Sequence, residues 1–258
     1  MSIDSQRPQT LTVTSTHAPL MPGFAHAKGL NVDVFFDPSR LHSPDLSWFD
    51  PAASNHTPAP VSKGGRNAAW FVLIEGLAAV LRRYRRGGLA AKLSKDLYFW
   101  TGLQKTRAFA ELHLLHRIYL QGFKVPRPLA IAVWRHGLFY RAAILTERIA
   151  GARPLSNCVN PVIWNRAGQT IRHMHQLGIY HADLNVYNIL VDANDQIWII
   201  DFDRCWQGSL SDKACQANLD RLKRSVVKVN ENLLSDCYCA LLIGYDPCLL
   251  YTSPSPRD

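Results

Sequence analysis

Residues 178–204 read GIYHADLNVYNILVDANDQIWIIDFDR. Two short apolar runs, Ile189 to Val191 and Ile197 to Ile200, flank Asp192-Ala193-Asn194-Asp195. Polar turn formers between β-branched runs predict a tight hairpin. A hairpin brings the start of its first strand beside the end of its second. Asn188 and Asp201 bracket the two strands and are therefore expected at one end, with Asp183 on the loop just before them. A carboxamide oxygen beside a carboxylate suits a hard cation, Mg2+. A second carboxylate nearby can accept a hydroxyl proton.

The rest of the chain has to build a scaffold around that hairpin. Its 258 residues are 47% apolar and 19% charged, which predicts one or two globular domains and argues against disorder. There is no run of eighteen apolar residues to cross a membrane, and the first twenty residues show no basic-then-apolar leader. Six cysteines without a CxxC pair are expected as reduced thiols, with no zinc site. Residues 1–28, rich in Ser, Thr, Pro and Gln, read as a disordered tail. Val32 to Phe36 reads as a strand. From Val61 to Gly88, short β-type runs split by Gly64-Gly65 and Gly76 suggest an antiparallel meander. Thr106 to Leu120 places Ala108, Leu112, Leu115 and Tyr119 on one helical face, stopped near Gly122. Leu138 to Ile149 reads as strand, leading into a connector at Ala150 to Pro154. Pro161 to Leu177 is a second amphipathic helix, with Ile163, Ala167, Ile171 and Met174 inward and Gly178 as its stop. A last, basic helix is expected around Asn218 to Asn230. The expected class is α+β. A β-rich half with one main helix occupies residues 29–149, and a mostly helical half carrying the hairpin occupies residues 150–247. Cys248 to Asp258 (CLLYTSPSPRD) looks like the translation of a sequencing adapter and is set aside.

The spacing H-x-D-x-x-x-x-N, followed by an apolar strand ending in D-F-x, resembles the catalytic hairpin of the protein-kinase-like bilobal fold. That resemblance implies ATP as phosphoryl donor, Mg2+ held by Asn188 and Asp201, Asp183 as the group that takes the acceptor's proton, and His181 as a brace for the loop. Lys63-Gly64-Gly65-Arg66 falls where a glycine-rich lid would lie, so the backbones of Gly64 and Gly65 are expected near a phosphate. Arg82 stands where such kinases carry a strand lysine, and is expected to pair with Glu111 on the helix of the β-rich half. Glu147-Arg148-Ile149 falls where the hinge offers backbone groups to adenine. Ala182 replaces the arginine of H-R-D and no A-P-E follows Asp201, which disfavours a protein kinase with a peptide-docking platform.

More specifically, RRYRRGG (Arg82 to Gly88), HADLN (His181 to Asn185) and DFDR (Asp201 to Arg204), joined to NLDRLKRS (Asn218 to Ser225), resemble the lipopolysaccharide kinase family whose members phosphorylate 3-deoxy-D-manno-octulosonic acid (Kdo). The resemblance runs from about Val61 to Lys228, and an arginine at position 82 is shared with that family. Val186-Tyr187 and Lys213-Ala214-Cys215 depart from its usual pattern, which bears on acceptor fit more than on phosphoryl transfer. The implied reaction is ATP-dependent phosphorylation of a Kdo hydroxyl on a Kdo-lipid A precursor, at the cytoplasmic face of a Gram-negative inner membrane. The net charge of +9, with 20 of 29 basic residues being arginine, suits an anionic acceptor and an anionic membrane surface. Arg82, Arg83, Arg85 and Arg86, then Lys92 and Lys95, then Arg221, Lys223 and Arg224 are the expected cationic surface, each adding about 1 kcal/mol beside anionic lipid. Arg204 is the expected acceptor contact. No nucleic-acid partner is expected. The alternatives are a heptose kinase of the same core, a protein kinase on this scaffold, or a non-catalytic kinase-like protein that binds anionic lipid.

Overall fold

The computed structural model describes residues 10–15, 20–53, 59–60, 69–85 and 96–246. The chain divides into two compact units: residues 1–116 with 127–148, and residues 117–126 with 149–258.

Residue alternation builds the first unit. Its strands are β1 (Thr12–Ser15), β2 (Ala25–Lys28), β3 (Val32–Phe36), β4 (Ala59–Pro60), β5 (Ala69–Ile74), β6 (Leu77–Arg83), β7 (Tyr98–Phe99), β8 (Pro128–His136) and β9 (Phe139–Glu147). They form one antiparallel sheet in the order β1-β2-β3-β8-β9-β6-β5-β4, with β7 added on β9. The expected meander around Gly76 is the pair β5 and β6, in register from Ala69↔Arg82 to Ile74↔Leu77. Gly76 takes a φ of 81°, a left-handed backbone that glycine adopts without steric cost. The expected strand at Val32 to Phe36 is β3. The central strands β8 and β9 are apolar on both faces, and Leu129 to Val133 and Ala143 to Leu145 are buried.

Residues 12–15 and 25–28 are strands rather than tail, and Met21, Phe24, Ala25 and Ala27 are buried. β2 pairs with β3 from Ala25↔Phe36 to Lys28↔Asp33. Its two inward residues are alanines, so the alternation is short and weakly apolar and gives little periodic signal. Helix α1 (Arg107–Leu120) buries the expected Ala108, Leu112 and Leu115, but its last inward residue is Ile118 while Tyr119 is half-buried, and Phe109 meets Phe35 edge-on at 5.4 Å between ring centroids.

The second unit contains β10 (Arg153–Pro154), helix α2 (Pro161–Gln176), β11 (Ile179–Tyr180), β12 (Ile189–Val191), β13 (Ile197–Ile199), β14 (Trp206–Gln207), α3 (Asp212–Val229) and α4 (Cys239–Tyr245). Asn160 caps α2 by accepting from Val162 N, and Pro161 opens the first turn, where its missing N–H costs nothing. Gly178 ends the helix at φ 72°, and a Cβ there would overlap the Gly208 carbonyl oxygen. Glycine is required on both counts, and it leads the chain directly into β11 beside β14. Residues 117–126, expected with the β-rich half, belong here. Lys124 O accepts from Ile199 N at 3.1 Å, the Lys124 ammonium lies 5.3 Å from the Trp198 ring, and Phe123 meets His173 edge-on. The last basic helix starts earlier than expected, because Ser211 caps α3 by accepting from Ala214 N. Helix α4 lies beyond it, against α2. A Cβ on Gly168 would overlap Leu241 O and one on Gly244 would overlap Asn165 O, so two glycines allow these helices to cross in backbone contact.

Candidate active site

The hairpin forms in the expected register. β12 and β13 pair Ile189↔Ile199, Leu190↔Trp198 and Val191↔Ile197. Asp192 shapes the turn: its Oδ1 accepts from Asn194 N and Gln196 N, and its Oδ2 from Trp198 Nε1 at 2.8 Å. At the open end, Ile200 N donates to Asn188 O at 2.9 Å. Asp201 is the next residue, with φ 65°. A non-glycine residue in the left-handed region carries strain of roughly 1–3 kcal/mol, of the kind that collects at functional sites. Phe202, buried and edge-on to the His181 ring at 5.0 Å, pins the chain just past it.

The loop before β12 is held by side chains. His181 is fully buried; its Nε2 donates to Ile200 O at 3.0 Å and its Nδ1 accepts from Asp183 N at 3.2 Å. One ring nitrogen donates and the other accepts, which is the neutral imidazole. Burial agrees, since it pushes the His181 pKa down, partly opposed by the bond to Ile200 and by Asp201 and Asp183. The brace expected of His181 is therefore a tie between the loop and the residue preceding Asp201. Asn188 Nδ2 donates to Asp183 O at 2.9 Å. Asn185 Oδ1 accepts from Tyr187 N and Asn188 N, while its Nδ2 donates to Asp183 O and, at 3.3 Å, to Asp183 Oδ2. The Asp183 carboxylate is 54% exposed and meets Arg221 Nη1 at 3.4 Å. The structure thus joins Asp183 to Asn188 directly and sets Asp201 one residue past the bond from Ile200 to Asn188. Arg204, also left-handed at φ 60°, is exposed just beyond.

Sequence reasoning missed Asn218. This fully buried α3 side chain donates from Nδ2 to His181 O at 2.9 Å. Its Oδ1 accepts from His181 N and from His175 Nε2, both at 3.2 Å. Tyr245 OH completes the network on His175 Nδ1 at 2.8 Å. Its signal in the sequence is a lone amide on the apolar face shared with Leu219, Leu222 and Val226, next to the more conspicuous basic residues of α3. Asn218→Ala leaves the buried His181 N–H and C=O unpaired. Urea unfolding should show a loss of about 3 kcal/mol, since each orphaned group costs roughly 1–3 kcal/mol; an unchanged midpoint would remove this buckle from the account.

Burial also depresses the His175 pKa, opposed by the bond to Asn218. With both imidazoles neutral in the fold and an unfolded reference of 6.5, the unfolded chain binds more protons below that value. Stability should be flat above about pH 6.5 and fall as pH drops below it. Urea midpoints at pH 7.5 and 5.5 check this, the lower pH giving the lower midpoint.

On the first unit, Arg82 Nη2 bonds both oxygens of buried Glu111 at 2.5 Å, and Tyr84 OH donates to Glu111 Oε2 at 2.6 Å. The Arg82 guanidinium also lies 4.8 Å from the Tyr84 ring centroid. The expected pairing of Arg82 with Glu111 is present, and Tyr84 joins it. The consecutive arginines do not make one cationic stripe, however. Strand residues alternate faces, and Arg83 instead donates to Phe49 O at 2.8 Å and faces Asp50 at 3.6 Å. Arg86, Lys92 and Lys95 lie outside the described residues, as do Gly64 and Gly65. The Glu147 carboxylate accepts from Arg40 at 2.8 Å; its N–H donates to Arg127 O, and Arg148 N–H donates to Ala78 O. Ile149 follows at the first residue of the second unit's main segment.

An antiparallel sheet with one long helix, and a second unit carrying Asp183, Asn188 and Asp201 around one hairpin, are consistent with the protein-kinase-like fold. The family model described as "Lipopolysaccharide kinase (Kdo/WaaP) family" matches residues 56–245, and the chain belongs to that family. It is 43% identical over 225 residues to a 3-deoxy-D-manno-octulosonic acid kinase of Vibrio vulnificus (strain YJ016), covering 83% of this chain and 94% of the relative. It is 42% identical over 200 residues to the protein of that name from Xylella fastidiosa (strain M23), covering 76% and 80%. For the one from Stenotrophomonas maltophilia (strain K279a) the figures are 41% over 222 residues, 83% and 89%.

Proposed function

We propose that this chain transfers the γ-phosphoryl group of ATP to a hydroxyl of Kdo on a Kdo-lipid A precursor, in assembly of the lipopolysaccharide inner core. The observation that carries this reading is the hairpin that gathers Asp183, Asn188 and Asp201, in a chain whose relatives bear the name Kdo kinase over most of their length.

The donor set fits Mg2+. Among the described residues no cluster of three His, Cys, Asp or Glu side chains forms a metal cage. Mg2+ shared with nucleotide phosphates needs just one or two protein oxygens. The Asp201 carboxylate is one. The other is Asn188 Oδ1, because the Asn188 Nδ2 is engaged by Asp183 O. Bound there, the ion would neutralise negative charge on the nucleotide phosphates.

The chain's own residues do the rest. Asp183 accepts the hydrogen bond of the acceptor hydroxyl, orients it toward the phosphorus and takes its proton as the new bond forms. Arg221 and Asn185 hold that carboxylate in place. Arg82, fixed by Glu111 and Tyr84, offers its guanidinium to the phosphates, a bidentate role suited to arginine. The Glu147 and Arg148 N–H groups are bonded within the sheet, so Ile149 N–H is the hinge donor assigned to adenine. Gly64 and Gly65 are assigned to the phosphate lid and Arg204 to the anionic acceptor. Most of the rate then comes from positioning and charge neutralisation.

A lipid-linked acceptor puts the enzyme at a bilayer, and we assign it to the cytoplasmic face of the inner membrane as a peripheral protein. Among the described residues no helix is long and apolar enough to cross a membrane. The test is incubation with ATP, Mg2+ and Kdo-capped lipid A precursor. Tandem mass spectrometry should find one added phosphate on the Kdo fragment. Phosphate on the lipid A disaccharide, on a heptose or on protein hydroxyls instead would overturn the assignment.

A further inference from the structure

The first unit presents an apolar and aromatic surface that its fold does not require. The β8–β9 hairpin closes with the pair His136↔Phe139, leaving Gly137-Leu138 as its two-residue turn. Positive φ falls on Gly137 alone (58°), so the second turn position is open to most residues, and there Leu138 stands 76% exposed at the tip. Strand β7 carries the surface outward. Tyr98 pairs with Tyr140 and Phe99 with Phe139, and Trp100 N continues the pairing by donating to Leu138 O at 2.9 Å. By strand alternation Tyr98 and Tyr140 face inward and are buried. Phe99 and Phe139 face outward together, their ring centroids 5.0 Å apart, with Phe99 63% exposed. By the same alternation Trp100 and Arg135, which pairs with Tyr140, lie on the opposite face of this hairpin end, the Arg135 guanidinium 5.1 Å from the Trp100 ring centroid, while Arg141 follows on the Phe139 face, paired with Asp96 at 2.9 Å.

We propose that the tip of this hairpin, Leu138 at its apex with Phe99 and Phe139 on one face and Trp100 and Arg135 on the other, docks the protein on a bilayer containing anionic lipid. The chemistry points to that occupant. Aromatic rings and a leucine provide shallow apolar insertion, and an arginine stacked on tryptophan sits at headgroup level, a combination that serves membrane interfaces. Charge complementarity agrees, since the chain carries +9. The choice of a lipid surface over a second copy rests on the lipid-linked acceptor proposed above. Arg82 and Arg83, expected on the membrane-facing surface, are instead engaged with Glu111 and Phe49.

Vesicle co-sedimentation tests this without reading turnover, so it can fail independently of the kinase assignment. Full-length protein should sediment with phosphatidylglycerol/phosphatidylethanolamine vesicles and more weakly with phosphatidylcholine vesicles. The double variant Phe99→Ser/Leu138→Ser should bind the anionic vesicles about tenfold or more less tightly, having lost its exposed apolar groups. It should keep its urea midpoint and its turnover of a deacylated, water-soluble acceptor. Arg135→Gln should lose the preference for anionic vesicles while keeping the residual binding to phosphatidylcholine. Wild-type protein that ignores vesicles, or a double variant that binds as wild type does, overturns the proposal. So does a double variant that loses self-association in sedimentation velocity while keeping vesicle binding, which would make the surface an interface between copies.

Discussion

Asp183→Asn is expected to lower kcat by about 10²–10⁴-fold, the range for removing a positioned general base, with ATP affinity nearly unchanged. The substitution is close to isosteric. An asparagine amide still accepts from Asn185 Nδ2 but can neither take the hydroxyl proton nor hold Arg221 by charge. Because the Asp183–Arg221 pair is largely exposed, stability should change by less than about 1 kcal/mol. Single-turnover kinetics with saturating ATP, set beside nucleotide binding by calorimetry, separate the two effects. A variant that binds ATP and transfers phosphate at the wild-type rate would remove Asp183 from the chemistry.

Asp201→Asn should be as damaging for a different reason. Asparagine tolerates the left-handed backbone that Asp201 occupies, so the turn into buried Phe202 survives and the fold is kept. What disappears is the negative charge assigned to the metal. Loss of one preorganised charge contact predicts a fall in kcat/KM of about 10²–10³-fold or more. The readout beyond activity is the Mg2+ dependence of ATP binding: wild-type affinity should rise with Mg2+, and the variant's should respond far less. Equal Mg2+ dependence in the two proteins would separate Asp201 from the metal.

The parts of the molecule readable from sequence are those whose signals are local. The hairpin of β12 and β13 needs a polar turn between two β-branched runs, and Asn188 and Asp201 follow from its register. The inward face of α2 and its stop at Gly178 are equally local. The parts that escaped depend on a partner distant in the chain. Asn218 ties α3 to His181, 37 residues away, and the lone amide on the apolar face of α3 does not by itself name that partner. β2 hides because Ala25 and Ala27 bury completely yet contribute little hydrophobic periodicity. Arg82 and Arg83 looked like one cationic surface because they are adjacent, but adjacency in a strand means opposite faces: one meets Glu111 and the other Phe49 and Asp50. Helix α4 was missed because its role rests on Gly168 and Gly244, where the absence of side chains is what allows the crossing.

A crystal structure of the protein with a non-hydrolysable ATP analogue and Mg2+ decides whether the hairpin holds the metal. It should contain a Mg2+ ion about 2.1 Å from Asn188 Oδ1 and from an Asp201 carboxylate oxygen, with the Asp183 carboxylate facing the γ-phosphate and not ligating the metal. A metal held by other side chains, or an Asp183 carboxylate turned away from the γ-phosphate, would contradict it.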